Sequence, residues 1–238
     1  MNLTKSLLKA SVFVLAVVAL ASCGASRHTA SDVNLSAVRE YAFFQPYAYI
    51  VCYGDDGKGY YDAGDSRQSA SIISNIINSE RFPFSDEIAV DYQGENEDVR
   101  KWIRTFPDFD PAKIDRLRVP KSLRRMIEQS GLRYGIVIYS FGYTQTKAGY
   151  QREKIEKAAG KFIDKAIESL TGIKGLTNPS QNYSVGDPYG NILYCAVIDG
   201  DTDRVVHFVR EVPTFASHPT ETSYVSELLH KLLKEFIR

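Results

Sequence analysis

The stretch that most constrains this chain is Leu20-Ala21-Ser22-Cys23, which closes an apolar run beginning near Leu7. Met1 to Lys9 carries Lys5 and Lys9 with no acid, and Ser11 to Ala21 is almost wholly apolar before the small residues Ala21 and Ser22. A basic start, a short apolar middle and a small-residue end make a secretory signal. The run is too short for the roughly 20 apolar residues that a membrane-spanning helix needs. Everything after it is therefore expected to fold outside the compartment in which it was made.

An ordinary signal is cut after an A-x-A-like pair, whereas Leu-Ala-Ser-Cys resembles the bacterial lipobox. In that motif the cysteine thiol takes a diacylglycerol before cleavage, and Cys23 becomes the first residue of the mature chain. A thiol is required because it is the most nucleophilic side chain near neutral pH and its thioether is permanent. Two or three acyl chains exceed the one-chain limit for stable anchoring, since each buried methylene contributes about 0.8 kcal/mol. Gly24 follows the cysteine, not the aspartate that resembles an inner-membrane retention signal. No acidic run follows either, so the expected location is the periplasmic face of the outer membrane.

Without residues 1–22 the chain keeps 27 basic and 29 acidic residues, a net charge of minus two, which gives no global electrostatic case for nucleic acid. The 44% hydrophobic content, with 15 Tyr and 12 Phe, calls for a packed core, not a disordered chain. The expected organisation is signal (1–22), flexible tether (23–36) rich in small polar residues, and one α/β domain (37–238) with a mixed sheet covered by helices.

Within that domain Tyr47 to Tyr53 reads as a strand, with Pro46 marking an edge or bend before it. Ile72, Ile73, Ile76 and Ile77 form the stripe of a helix whose N-cap is Asp65 or Ser66 and which stops before Pro83. Glu87–Gln93 alternates as a short strand, Glu95–Phe106 reads as a helix carrying Trp102, and Pro107–Arg118 as irregular. Pro120 and Gly131 bracket another helix, and Tyr134–Thr144 is a core strand. Arg152–Leu170 has apolar residues every three or four positions, as an amphipathic helix does. A polar loop follows to Asn191. Ile192–Ile198 is apolar throughout, as a strand buried on both faces would be, and Arg204–Val212 returns beside it. The stripe Val225, Leu228, Leu229, Leu232, Leu233 and Phe236 closes the domain as a helix.

Several residue sets invite a chemical reading. Cys52 and Cys195 lie in apolar strands, where they are either a disulfide, which the compartment permits, or two buried thiols acting as small hydrophobes. Asp199, Asp201 and Asp203 have the spacing of a calcium loop, but Arg204 and Arg210 stand where that loop has Gly and Glu, so a hairpin turn is expected. Asp55, Asp56 and Asp62 fit that loop less well still.

Gly64-Asp65-Ser66 resembles the nucleophile block of the Gly-Asp-Ser hydrolases, yet the Asp-x-x-His that would activate Ser66 is missing. Capping of a helix explains the same residues. His28, His207, His218 and His230 are scattered. No catalytic residue, metal site or cofactor is expected. Arg100 to Arg125 holds nine basic residues against three acids, an excess suited either to a solvated face or to anionic headgroups or an acidic partner.

From Ser122 onward, a helix ending Glu128-Gln129-Ser130-Gly131 leads into the strand Tyr134-Gly135-Ile136-Val137-Ile138. Later come a strand ending Val197-Ile198-Asp199, the return strand Val205-Val206-His207-Phe208, and an amphipathic helix. This order resembles the envelope lipoproteins related to the curli secretion channel, the penicillin-binding-protein activators and the amino-terminal domain of the TolB protein. The resemblance implies an anticodon-binding-domain-like core and a scaffold or partner-binding role in the envelope, with no catalytic residues to carry over. A secretion channel needs long alternating strands, and the middle of this chain has none. The resulting expectation is a lipid-anchored, non-catalytic binding or assembly protein with an envelope protein partner, and its alternative is an envelope hydrolase using Ser66.

Overall fold

The computed structural model describes residues 25–80, 82–151, 187–213 and 215–237. Cys23, where lipidation is expected, and the segment Arg152–Leu170 lie outside the described residues. Among those described, seven strands form one sheet: β1 (Ala25–Thr29), β2 (Ala42–Phe43), β3 (Tyr47–Tyr53), β4 (Gly59–Tyr61), β5 (Tyr134–Gln145), β6 (Tyr189–Asp199) and β7 (Arg204–Glu211). Their order is β1-β7-β6-β5-β3-β4, with β2 also beside β5. β2 and β3 run parallel to β5 and the other pairings are antiparallel, so the sheet is mixed.

Among the described residues four α-helices cover it: α1 (Ala63–Ser79), α2 (Glu97–Ile103), α3 (Lys121–Ser130) and α4 (Thr222–Leu233). One face packs Ile73, Ile76 and Ile77 of α1 and Val225, Leu228, Leu229 and Leu232 of α4 against Ile136, Ile138, Cys195 and Val209. The other packs Trp102 and Ile103 of α2, Phe106, Ile114, and Leu123 and Ile127 of α3 against Val137, Tyr139, Tyr194 and Phe208. The protein is thus a single α/β domain with a mixed sheet between helical layers. Every residue of β6 from Gly190 to Asp199 is buried, the consequence of an apolar run that can only be satisfied by cover on both sides.

Local chemistry explains the breaks. Phe43 sits opposite Ile136 and Tyr47 opposite Tyr139, so the β2–β3 edge spends one more residue than β5 around Pro46, which has no N–H for a ladder. Gly131 ends α3 at φ 71°, the left-handed conformation that glycine adopts without cost. Gly135 is required by proximity: a Cβ there would lie 2.7 Å from Phe44 and 2.8 Å from Ile127, so its absence lets α3 sit down on the sheet.

Four expectations need correction. Residues 25–29, expected within the flexible tether 23–36, form edge strand β1, hydrogen-bonded along β7 from Ala25↔Glu211 to Thr29↔His207. Edge strands gain their stability from backbone pairing, so Ser-Arg-His-Thr needed no apolar alternation. The α1 N-cap is Asp62, whose carboxylate accepts from the Asp65 N–H at 2.9 Å, not Asp65 or Ser66. Glu87–Gln93 is no strand; Phe84 and Ile88 only make isolated bridges to Tyr41 and Phe44. Pro120 stands at the N-cap of α3, one position before its first turn.

Candidate functional site

Two ends of the sheet gather the polar chemistry, and the first is the corner where β1, β7 and α4 meet. Arg27 projects from β1 onto Glu211 of β7 at 3.3 Å, onto the Leu232 carbonyl at 3.3 Å and onto the Lys231 carbonyl, with Glu235 at 3.7 Å. One guanidinium therefore satisfies a buried carboxylate and two carbonyls left open at the end of α4, where a positive charge is favoured. Burial raises the Glu211 carboxyl above its ordinary range, against the pull of Arg27.

Beside it lies His207, fully buried. Its Nδ1 shares a hydrogen bond with the Thr29 hydroxyl at 2.7 Å and its Nε2 stands 3.7 Å from Glu235. Burial, with Arg27 and His28 nearby, pushes the imidazole down to about 4, so it is neutral at physiological pH. These groups fasten the first strand to the body of the domain. Sequence reasoning missed this corner because Arg27 fell in a segment without periodicity; Arg between two β-compatible residues was the only available signal.

At the opposite end, the turn between β6 and β7 carries the three expected aspartates, but each turns to an arginine. Arg133 grips buried Asp199 with two bonds of 3.0 and 2.8 Å and reaches Asp201 at 3.2 Å. Asp203, at φ 54°, meets Arg124 at 2.6 Å. Burial alone would raise the Asp199 carboxyl; Arg133 and the Asp201 N–H hold it below the usual range. Arg133 holds Asp199 and Asp201 together while Arg124 holds Asp203, the geometry of a braced hairpin.

Ser66 is not placed as a nucleophile. It is 1% exposed, and its hydroxyl oxygen accepts from the Ile50 N–H at 2.9 Å, tying the first turn of α1 to β3. A second buried link runs from Ser69 to Ser140 at 3.1 Å, and the Ser140 hydroxyl donates to the side-chain Oδ1 of Asn191 at 2.9 Å. His218 approaches the same turn but stands 3.6 Å from the Asp65 carboxylate and 2.8 Å from the Thr220 hydroxyl. His230 pairs with Glu80 at 3.0 Å. The Gly-Asp-Ser block thus lies in the first turn of α1, with the Ser66 hydroxyl held by the Ile50 N–H.

Cys52 and Cys195 are both free. Cys52 is opposite Thr144 and Cys195 opposite Ile138 on the two sides of β5. Six residues along a strand separate them by about 20 Å, far beyond the roughly 7 Å limit between bonded cysteine Cα atoms. The possible disulfide is therefore replaced by two thiols. Cys195 is buried, which drives its pKa well up and leaves it unreactive.

Four of the nine basic residues of the segment 100–125 meet acids, among them Arg124 with Asp203. Arg100 and Lys101 meet Glu97 at 2.7 and 3.1 Å, and Lys113 meets Asp110 at 3.0 Å. Arg104 lies over the Tyr49 ring at 4.5 Å, which also stacks on Tyr61 and Phe141 at 5.0 and 6.3 Å. That aromatic row follows from the in-register pairing of β3 with β5, where alternate residues share one face. Among the described residues no cluster of His, Cys, Asp and Glu is arranged to hold a metal ion, and no helix is long and apolar enough to cross a membrane.

No protein-family model matches the chain, and no curated protein matches it. Among solved structures, the dodecamer of a PelC variant from Paraburkholderia phytofirmans in space group C2 aligns over 89% of this chain and 97% of its own, at 12% identity and a TM-score of 0.39. The PelC dodecamer from the same organism in space group P6 aligns over 90% and 98%, at 10% identity and a TM-score of 0.38. Likeness at that level fixes neither the family nor the activity of this chain.

Proposed function

We propose that this chain is a lipid-anchored, non-catalytic binding or assembly protein of the bacterial cell envelope, held at the periplasmic face of the outer membrane by acylated Cys23. The observation that carries this is Leu20-Ala21-Ser22-Cys23 at the end of a signal-type apolar run, because the motif places a nucleophilic thiol at the cleavage point. The arrangement of the polar side chains supports a non-catalytic role. Ser66, His207, Arg27 and the aspartates of the β6–β7 turn are all consumed by contacts that hold elements together.

A scaffold works through its surface, and the partner is expected to be another envelope protein. Cross-linking in intact cells, followed by mass spectrometry of the purified protein, tests this. A recurrent envelope protein joined to surface lysines supports the assembly role. Recovery of only non-crosslinked chain, together with turnover of ester substrates lost in a catalytic-serine scan, would replace it with an enzyme.

A further inference from the structure

Little chain separates Cys23 from the first strand of the sheet. β1 begins at Ala25, two residues after Cys23, and two residues of extended chain reach no more than about 7 Å. Fourteen flexible residues would span about 20 Å and leave the domain free to reorient. Ala25 pairs with Glu211, the last residue of β7. Any lipid on Cys23 must therefore lie near the end of the sheet where β1 starts and β7 stops.

That end carries two exposed aromatic residues, with one exposed ion pair, Lys58–Asp56 at 3.9 Å, beside the second of them. Four residues beyond Glu211, Phe215 is 51% exposed, its ring leaning on Tyr224 at the start of α4. On the far side of the sheet, the register from Tyr189 through Thr144 and Cys52 leads to Tyr60, at the same end and 54% exposed. At the opposite end stands the β6–β7 turn with Arg133, Arg124, Asp201 and Asp203 in exposed ion pairs. Aromatic side chains favour the boundary between headgroups and acyl chains, whereas a turn braced by two arginines on three aspartates is best left in water.

We infer that the end of the sheet formed by the start of β1 and the close of β7 rests on the bilayer that holds the anchor, with Phe215 in its interface and Tyr60 on the same rim. The β6–β7 turn then points away from the lipid and is the end offered to a partner. This orientation rests on the lipoprotein reading of Cys23, and it goes further by fixing which surface the membrane covers.

The test uses the full lipidated protein, reconstituted into phosphatidylethanolamine–phosphatidylglycerol vesicles with or without acyl-brominated lipid. Trp102, 8% exposed, is the wild-type background. Phe215→Trp and Tyr60→Trp report on the proposed contact; Gln129→Trp, on the exposed end of α3 near the start of β5, reports on the far end. Phe215→Trp is expected to lose emission in the brominated vesicles beyond the wild-type level, Tyr60→Trp to follow it, and Gln129→Trp to match wild type. If the protein carries its lipid by intact mass and floats with the vesicles while Phe215→Trp is no more quenched than wild type, the orientation is wrong. Equal quenching of Phe215→Trp and Gln129→Trp overturns it as well. Protein without the lipid mass that does not float refutes the anchor itself, and the orientation with it.

Discussion

Truncating Leu229 to alanine measures how much of the domain depends on the closing helix. Leu229 is fully buried, in the cluster that joins α4 to α1 and to the centre of the sheet. Removing three carbons at about 0.8 kcal/mol each forfeits about 2.5 kcal/mol of transfer energy. The surroundings are strands β5 to β7 and a second helix, which cannot close in freely, so a cavity term brings the total to about 3 to 4 kcal/mol. A domain holds only about 5 to 15 kcal/mol in all. With a urea slope of about 2 to 3 kcal/mol per molar, the midpoint should fall by between about 1 and 2 M. The assay is urea unfolding of an unlipidated chain beginning at Gly24, which retains all of β1. Ile237→Ala, at a residue 52% exposed, serves as the control and should shift stability by less than about 0.5 kcal/mol. A wild-type midpoint for Leu229→Ala would refute the packing argument and free the apolar face of α4 for another use, such as lying on lipid.

Arg27→Ala should destabilise the same chain by about 3 kcal/mol, because Glu211 and two carbonyls of α4 lose their donor together; adding Glu211→Gln should restore part of the loss, and an unchanged midpoint in urea would show the corner to be unimportant. His207 should make stability fall as pH drops. Its folded pKa of about 4 lies below its ordinary 6.5, so its contribution is complete above pH 6.5 and is lost between 6.5 and 4, by about 3 kcal/mol. The raised carboxyl of Glu211 acts in the opposite sense, favouring the folded state at low pH. Urea midpoints between pH 7.5 and 4.5 with and without His207→Gln isolate the histidine, and identical pH slopes would rule it out. Thiol alkylation under native conditions should modify Cys52 and spare Cys195 until the protein unfolds, since only the first has solvent access; an intact mass two hydrogens short before alkylation would instead reveal a disulfide.

The sequence announced those elements whose pattern reflects burial. β6 was legible as an unbroken apolar run, α4 as a stripe with helical period, and the α3 terminus as Ser130-Gly131, because a helix end in the left-handed region selects glycine. The elements that escaped are held by other means. β1 is an edge strand made by main-chain bonds and one arginine, which leave no periodic signature. Ile88 looked like part of an alternating strand, Glu87–Gln93, but makes only a single bridge to Phe44, where alternation and isolated packing produce the same letters. For the polar residues, spacing said which groups were near one another along the chain, not what they faced. Asp199, Asp201 and Asp203 have the intervals of a cation loop, and it took Arg133 and Arg124, more than 65 positions away, to decide their use. Ser66 followed the same course, its hydroxyl claimed by Ile50 across the α1–β3 contact.

Metabolic labelling with a fatty acid tests the central claim most directly, comparing wild type with Cys23→Ser in the native host. The account predicts a labelled wild-type chain recovered with the outer membrane, and an unlabelled Cys23→Ser chain that no longer matures, because a hydroxyl cannot form the thioether. Label that persists in Cys23→Ser, or a wild-type chain that takes up none, would contradict it.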